Sequence, residues 1–238
     1  MYLTNSQIRT KARRLLDDNI FGKDWLKSAL LSTITLLIVI ATGGALYSLF
    51  DKIITPFIMR LIESNKNLSE SFLPDVVYFI LQVVEALLLA IPTGPILVGI
   101  ASAHLDLVRG EGTIRIHKFF DGFRELVDNF QIGFMYVLNV VLWGLLFIVP
   151  GVMIAYSYSM AFYVKKDNPH YTWRECFDES ERIMEGNRWR LFKLHCNFLG
   201  WLLLGILAFL GIGLLWVIPY ISVSTAVFYE EAKYSKRS

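Results

Sequence analysis

The chain has 238 residues, of which 55% are apolar, and it carries a net charge of +2. The mean hydropathy is +0.48, above what a soluble domain of this size shows, and the length leaves no room for a second globular domain. Two cysteines, Cys176 and Cys196, are too few for a disulfide framework and too far apart for a CxxC site; both are read as reduced, near the cytosolic side.

A short amphipathic stretch opens the chain, with Ile8, Ala12, Leu15 and Leu16 on one face and a capping box of Thr4 with Gln7. It ends at Asn19. No cleaved signal peptide is expected, because Asp17, Asp18 and Asp24 precede the first apolar run. That run covers about 27–50 and is expected to break at Gly43-Gly44. An extracytoplasmic insertion, 51–75, follows. The second apolar region, about 76–105, contains Pro95 and ends before the Gly110-Glu111-Gly112 turn, which no strand precedes and which is not a phosphate loop.

The same order then repeats. Ile116, Phe119, Phe120, Phe123, Leu126, Val127 and Phe130 share one face of an expected amphipathic helix that meets Asn129. An apolar hairpin over 131–165 is broken at Pro150-Gly151. Trp173, Cys176, Phe177, Ile183 and Met184 form the third amphipathic stretch, capped by Thr172 with Glu175 and ended at Asn187. The last hairpin, 192–231, breaks at Gly211-Ile212-Gly213, with Pro219 in its second arm. The expectation is one all-α membrane domain, 1–238, made of three repeated units at about 5–108, 113–166 and 172–233. Each unit is an amphipathic in-plane helix plus a Gly/Pro-broken hairpin. The second arms are rich in small residues (Gly99, Ala101, Ser102, Ala103; Ala155, Ser157, Ser159, Ala161; Ser222, Ser224, Thr225, Ala226) and are expected to pack around a pseudo-threefold axis along the membrane normal. The greasier first arms should face lipid.

Charge sets the count of spans. Six transmembrane helices with both termini cytosolic leave only Lys52, Arg60 and Lys66 outside, out of 23 basic residues. Four spans would put the Lys165–Lys193 stretch outside, against that rule.

The candidate polar site within the membrane is Glu85, with Gln82, Asn139 and Asn197 as possible partners. A carboxylate at that depth is costly. It is either a proton or cation site facing the central arms, or a hydrogen-bonded clamp between helices. Asn19, Asn129 and Asn187 are equivalent junction residues, each placed to bond backbone groups freed at a helix end. Arg13, Arg14, Arg115, Lys118, Arg188 and Arg190 are candidates for anionic lipid headgroups. His104 with Asp106 fall on different helix faces, and His195 with Cys196 lack partners, so no metal site is expected. No cofactor is expected. HExxH, GxSxG and Walker patterns are absent. Tyr156, Tyr158 and Tyr163 are read as packing residues.

Several stretches carry a family resemblance. They are Ser6-Gln7-Ile8-Arg9, Phe119-Phe120-Asp121-Gly122-Phe123, Leu145 through Gly151, Tyr156-Ser157-Tyr158, Ser180 through Trp189, Phe198-Leu199-Gly200-Trp201 and Pro219-Tyr220. Over nearly the whole length they resemble the bacterial integral-membrane family called domain of unknown function 975. The chain is more distantly similar to membrane domains attached to some glycerophosphodiester phosphodiesterases. The resemblance implies a bacterial plasma-membrane protein and supplies neither an activity nor a catalytic residue. The function expected first is a non-catalytic module that binds lipid or partner proteins. A transport-type or pore-like protein is the alternative, and a lipid-acting enzyme the second alternative. Expected partners are membrane lipids, anionic ones in particular, and a second copy of the chain or another membrane protein; nucleic acid is not expected.

Overall fold

A computed structural model describes residues 3–17, 22–64, 72–88, 92–207 and 213–235. The described residues are helical and include no strand. Helix α1 (Asn5–Leu15) starts at the Thr4–Gln7 capping box. Helix α2 runs without interruption over Lys23–Glu63. Helices α3 (Leu73–Leu88) and α4 (Thr93–Val108) bring the chain back. A short α5 (Ile116–Phe119) passes into a 3-10 turn at Phe120–Phe123. Helices α6 (Leu126–Leu146) and α7 (Ile148–Tyr158) make the second hairpin, and α8 (Ala161–Asp167) extends its return arm. Helix α9 (Trp173–Met184) carries the second capping box. Helices α10 (Arg188–Cys196) and α11 (Leu199–Leu207) rise, and α12 (Leu214–Ser235) returns.

Three helical stretches are long and apolar enough to cross a membrane: Lys23–Glu63, Leu126–Leu146 and Arg188–Leu207. They are the first arms of the three hairpins. Their apolar side chains point outward, as at Leu37, Ile40, Leu146, Leu203 and Leu204. The core lies elsewhere. It gathers where α4, α8 and the second half of α12 meet, around Ala101, Ala103, Leu105, Met160, Ala161, Val164, Val223, Ala226, Val227 and Phe228, all at most 1% exposed. Small residues let these backbones approach.

Glycines set the closest approaches. A Cβ on Gly94 would lie 1.7 Å from the Asn129 carbonyl oxygen, and one on Gly133 would lie 2.2 Å from the Gly94 nitrogen. A Cβ on Gly122 would meet the Pro95 carbonyl at 2.1 Å. So α4 rests directly on the backbone of α6 and of the 3-10 turn.

Several sequence expectations are corrected. Gly43 and Gly44 do not break the first arm: α2 passes through them and absorbs 51–63 of the expected insertion. No side chain comes within 4 Å of the Cβ position of Gly44. Among apolar neighbours nothing polar takes up freed backbone groups, so the helix persists. Its irregularity falls instead at a π-helical turn, Phe50–Ile54. Pro56 lies just beyond; it cannot donate to the Lys52 carbonyl and its ring would crowd it, which a wider turn relieves. The second hairpin bends at Phe147, an extended residue, three positions before Pro150. Pro150 and Gly151 sit in the first turn of α7, where proline is tolerated. Gly151 faces Gly144 across the bend, where a Cβ on Gly151 would lie 2.7 Å from the Gly144 Cα. Pro95 likewise lies in the first turn of α4. Pro219 lies inside α12 rather than at its start, Gly213 just precedes that helix, and Gly211 is outside the described residues.

The expected helix over Ile116–Phe130 is broken. Gly122 is drawn against α4, the turn tightens to 3-10, and α6 begins at Leu126. The amphipathic faces of α1 and α9 are turned into the protein rather than onto lipid. Ile8, Ala12, Leu16, Cys176, Ile183 and Met184 are at most 1% exposed. Helix α1 lies along α12, where the Leu3 amide donates to Glu231 and the Tyr220 hydroxyl donates to the Arg9 carbonyl.

The backbone contact makes one position intolerant and another indifferent. Gly133→Ala is expected to destabilise the fold by about 2–3 kcal/mol through overpacking against Gly94. Gly44→Ala is expected to be neutral or stabilising by up to about 1 kcal/mol. Thermal unfolding in detergent, followed by helical circular dichroism, reads both; equal effects would contradict the packing described.

Candidate functional site at the charged end of the bundle

The ends of the three return arms converge on one ionic hub. Arg109 caps α4. Its Nη2 lies 2.8 Å from Asp167 Oδ1, at the end of α8, and its Nε donates to Glu230 Oε1 on α12 at 2.7 Å. The Tyr229 hydroxyl donates to Asp167 at 2.8 Å, and Lys233 contacts the same carboxylate. The Asp167 side chain is 8% exposed. Burial alone would raise its pKa. The bonds from Lys233 and Tyr229 and the charges of Lys233 and Arg109 outweigh burial and hold it below its ordinary value of 3.8.

Further pairs surround the hub. Lys165 is 2% exposed; it donates to the Pro169 carbonyl and, at 3.1 Å, to the Tyr171 carbonyl, with Glu125 and Asp128 at 3.3 and 3.6 Å. Lys166 and Lys118 flank Asp106 at 3.6 and 3.9 Å. Arg190 reaches Glu231 at 2.9 Å, the Leu3 carbonyl at 3.0 Å and Asn187 Oδ1 at 2.7 Å. His104 is buried. Its Nδ1 donates to the Ile100 carbonyl, which can only accept, at 3.0 Å, and its Nε2 meets the Ser28 hydroxyl at 2.7 Å. Asp24 accepts from the Ile114 amide at 2.9 Å. These last two bonds fix the base of α2 to α4 and its exit loop.

The junction asparagines sit at helix ends. The Asn129 amide donates to the Gly122 carbonyl at 2.6 Å, and its buried Oδ1 has no hydrogen-bond partner. The Asn187 amide donates to the Ile183 carbonyl at 2.9 Å. Asn19 lies outside the described residues.

The intramembrane group does not assemble. Glu85 is 9% exposed on α3, and among the described residues it makes no hydrogen bond or ion pair. Asn139 donates to the Met135 carbonyl of its own helix at 2.7 Å, while Gln82 and Asn197 are exposed. Of the lipid-facing candidates, Arg190 is engaged internally. Lys118 and Arg188 pair with carboxylates, the latter with Glu181 at 2.9 Å. Arg115 donates to the Glu111 carbonyl. Arg13 and Arg14 are exposed on α1.

No group of three metal-ligating side chains occurs among the described residues. Burial pushes the Cys176 thiol up to about 12, so it is no nucleophile. His195 and Cys196 line an apolar cavity of about 440 Å³ with Tyr156 and Phe192.

With the hub, its pairs and the three outward-facing first arms described, the comparisons bear on what the chain is. The model of the family described as "Protein of unknown function (DUF975)" matches residues 26–236. The chain belongs to this family. No curated protein matches it, and no solved structure does. The family therefore identifies the chain without assigning it chemistry. The sequence reading counts Arg109 and Lys233 only among the cytosolic basic residues and does not single out Asp167 or Glu230. Their place at the ends of three small-residue arms was the cue that they meet.

The hub gives stability a definite pH dependence. Because the folded pKa of Asp167 is depressed, its contribution is complete above the unfolded value and is lost as pH falls through the folded one. Asp167→Asn should lower stability by about 3 kcal/mol at neutral pH. The difference from wild type should shrink once the pH drops below about 4. A gap constant across that range, measured as melting temperature against pH, would contradict this account.

Proposed function

We propose that this is a multi-pass protein of the bacterial plasma membrane that acts as a non-catalytic module binding lipid or a partner protein. The three candidate spans carry the chain outward and the return arms bring it back. This gives six crossings, both termini cytosolic, and three units about a pseudo-threefold axis. The basic residues then lie inside except Lys52, Arg60 and Lys66. The rising arm of the third hairpin, Arg188–Leu207, has 20 residues, about 30 Å of helix.

The observation that carries the reading is the packed junction of the arms. Ala101, Met160, Ala161, Val164, Val223 and Ala226 are each at most 1% exposed there, and none of them lines the cavities described. Glu85 lines none of those cavities. The transport reading keeps one supporting observation, the carboxylate of Glu85, which makes no bond among the described residues. The enzyme reading rests only on the likeness to membrane domains of some glycerophosphodiester phosphodiesterases. No catalytic constellation among the described residues supports it.

Two measurements test the proposal. Purified protein in liposomes should pass protons and small cations no faster than empty liposomes, and Glu85→Gln should change nothing. A flux that Glu85→Gln abolishes would replace the module by a conduit. In a chain lacking Cys176 and Cys196, cysteines placed at Ile148 and Leu207, both 79% exposed, should react with an impermeant maleimide from outside intact cells. A protected Leu207→Cys would make the third hairpin re-entrant and lower the count of crossings.

A further inference from the structure

Two adjoining cavities meet at the C-terminal half of α1. The first, about 330 Å³, is polar and is lined by Ser6, Arg9, Thr10, Arg13, Arg14 and Tyr220. The second, about 460 Å³, shares Arg9, Arg13 and Tyr220 with it and continues between Trp25, Trp201, Leu204, Trp216 and Val217. Together they make one groove, cationic at one end and apolar at the other. No carboxylate lines either part among the described residues.

The cationic end differs from the charge pairs of the hub and its surroundings. Arg109, Lys118, Lys165, Lys166, Arg188, Arg190 and Lys233 each face a carboxylate within 4 Å. Arg9 and Arg14 face none among the described residues. Arg9 Nε is buried and has no hydrogen-bond partner. A guanidinium donor left unpaired away from water is costly, and a phosphate oxygen is the acceptor whose geometry the fork matches.

The apolar end fixes the depth. Trp25 is the third residue of α2, and its Nε1 donates to the Trp216 carbonyl at 3.2 Å. Trp201 is 54% exposed, so the groove opens sideways. Tryptophans of this kind sit at the level of lipid headgroups. Charge outward of that belt and an open apolar trough inward of it suit an amphiphile whose anionic group is a phosphate.

We propose that this groove is a binding site for one anionic phospholipid, with its phosphate on Arg9 and Arg14 beside Arg13 and an acyl chain between Trp25, Trp201 and Trp216. The proposal rests on the reading of the chain as a lipid-binding module and names the site and the lipid class. A soluble phosphate compound would use only the cationic end.

Native mass spectrometry of the detergent-purified chain with added phosphatidylglycerol or phosphatidylcholine of identical chains tests it. One phosphatidylglycerol should stay bound under conditions that strip phosphatidylcholine. Arg9→Gln and Arg14→Gln should each weaken it by about tenfold or more, and Arg9→Lys should fall between. Leu204→Trp, which fills the trough, should weaken it with the cations intact. Arg124→Gln, 80% exposed in its side chain and away from the groove, should match wild type. Melting temperatures confirm that each variant folds. Undiminished binding in the Arg9 and Arg14 variants overturns the site while leaving the module reading standing. Binding of neither lipid by wild type overturns both. Displacement by millimolar inorganic phosphate with Leu204→Trp silent makes the ligand a free phosphate and overturns the lipid assignment.

Discussion

The Arg109 guanidinium is the point on which the arrangement turns. It closes α4, takes the carboxylate that ends α8 and takes Glu230 from α12, so three segments distant in sequence share one charge. The arms themselves are lined by alanine, glycine and serine, which permit close approach but offer little side-chain interlock. Packing brings them together, and the hub fixes their relative height. The balance is fine, since burying ions is costly and only good geometry with further hydrogen bonds repays it. Tyr229 and Lys233 supply those bonds. A well-packed apolar replacement of the whole set could be as stable. Loss of one member could not, because it strands charge out of water.

The same economy explains why cavities lie at the edges. Lys165 and Arg190 are satisfied by backbone carbonyls as well as carboxylates, and His104 is satisfied by Ser28 and Ile100. The interior polar groups are largely spent on holding helices, which leaves their chemistry unavailable. What remains open is peripheral, beside the start of α2 and the end of α1.

Much of the fold was legible because it follows from local rules. The capping boxes at Thr4 and Thr172 mark the helix starts seen in the structure, and the outward apolar run of each first arm follows composition. What was not legible depended on surroundings. A Gly-Gly pair reads as a break only if something polar can accept the freed backbone, and among the described residues nothing comes within 4 Å of the Cβ position of Gly44. The amphipathic pattern over Ile116–Phe130 could not reveal that Gly122 is pulled against Pro95. Nor does periodicity say what covers an apolar face: α1 and α9 have the stripe of a surface helix, and the bundle takes it. The hub was hidden for a related reason. Its members are separated by 58 and 121 residues along the chain, and each alone looks like an ordinary boundary charge.

The length of helix α2 has a mechanical consequence. Its 41 residues make a rod about 60 Å long, roughly twice the hydrocarbon thickness. Hydrogen bonds hold its base, Ser28 with His104 and Asp24 with Ile114. Such a rod is a lever. A tilt of about 10°, well inside the range membrane helices adopt, moves its far end by about 10 Å. Small rearrangements at the base, where the tryptophans and the basic end of α1 also lie, would thus be magnified at its far end.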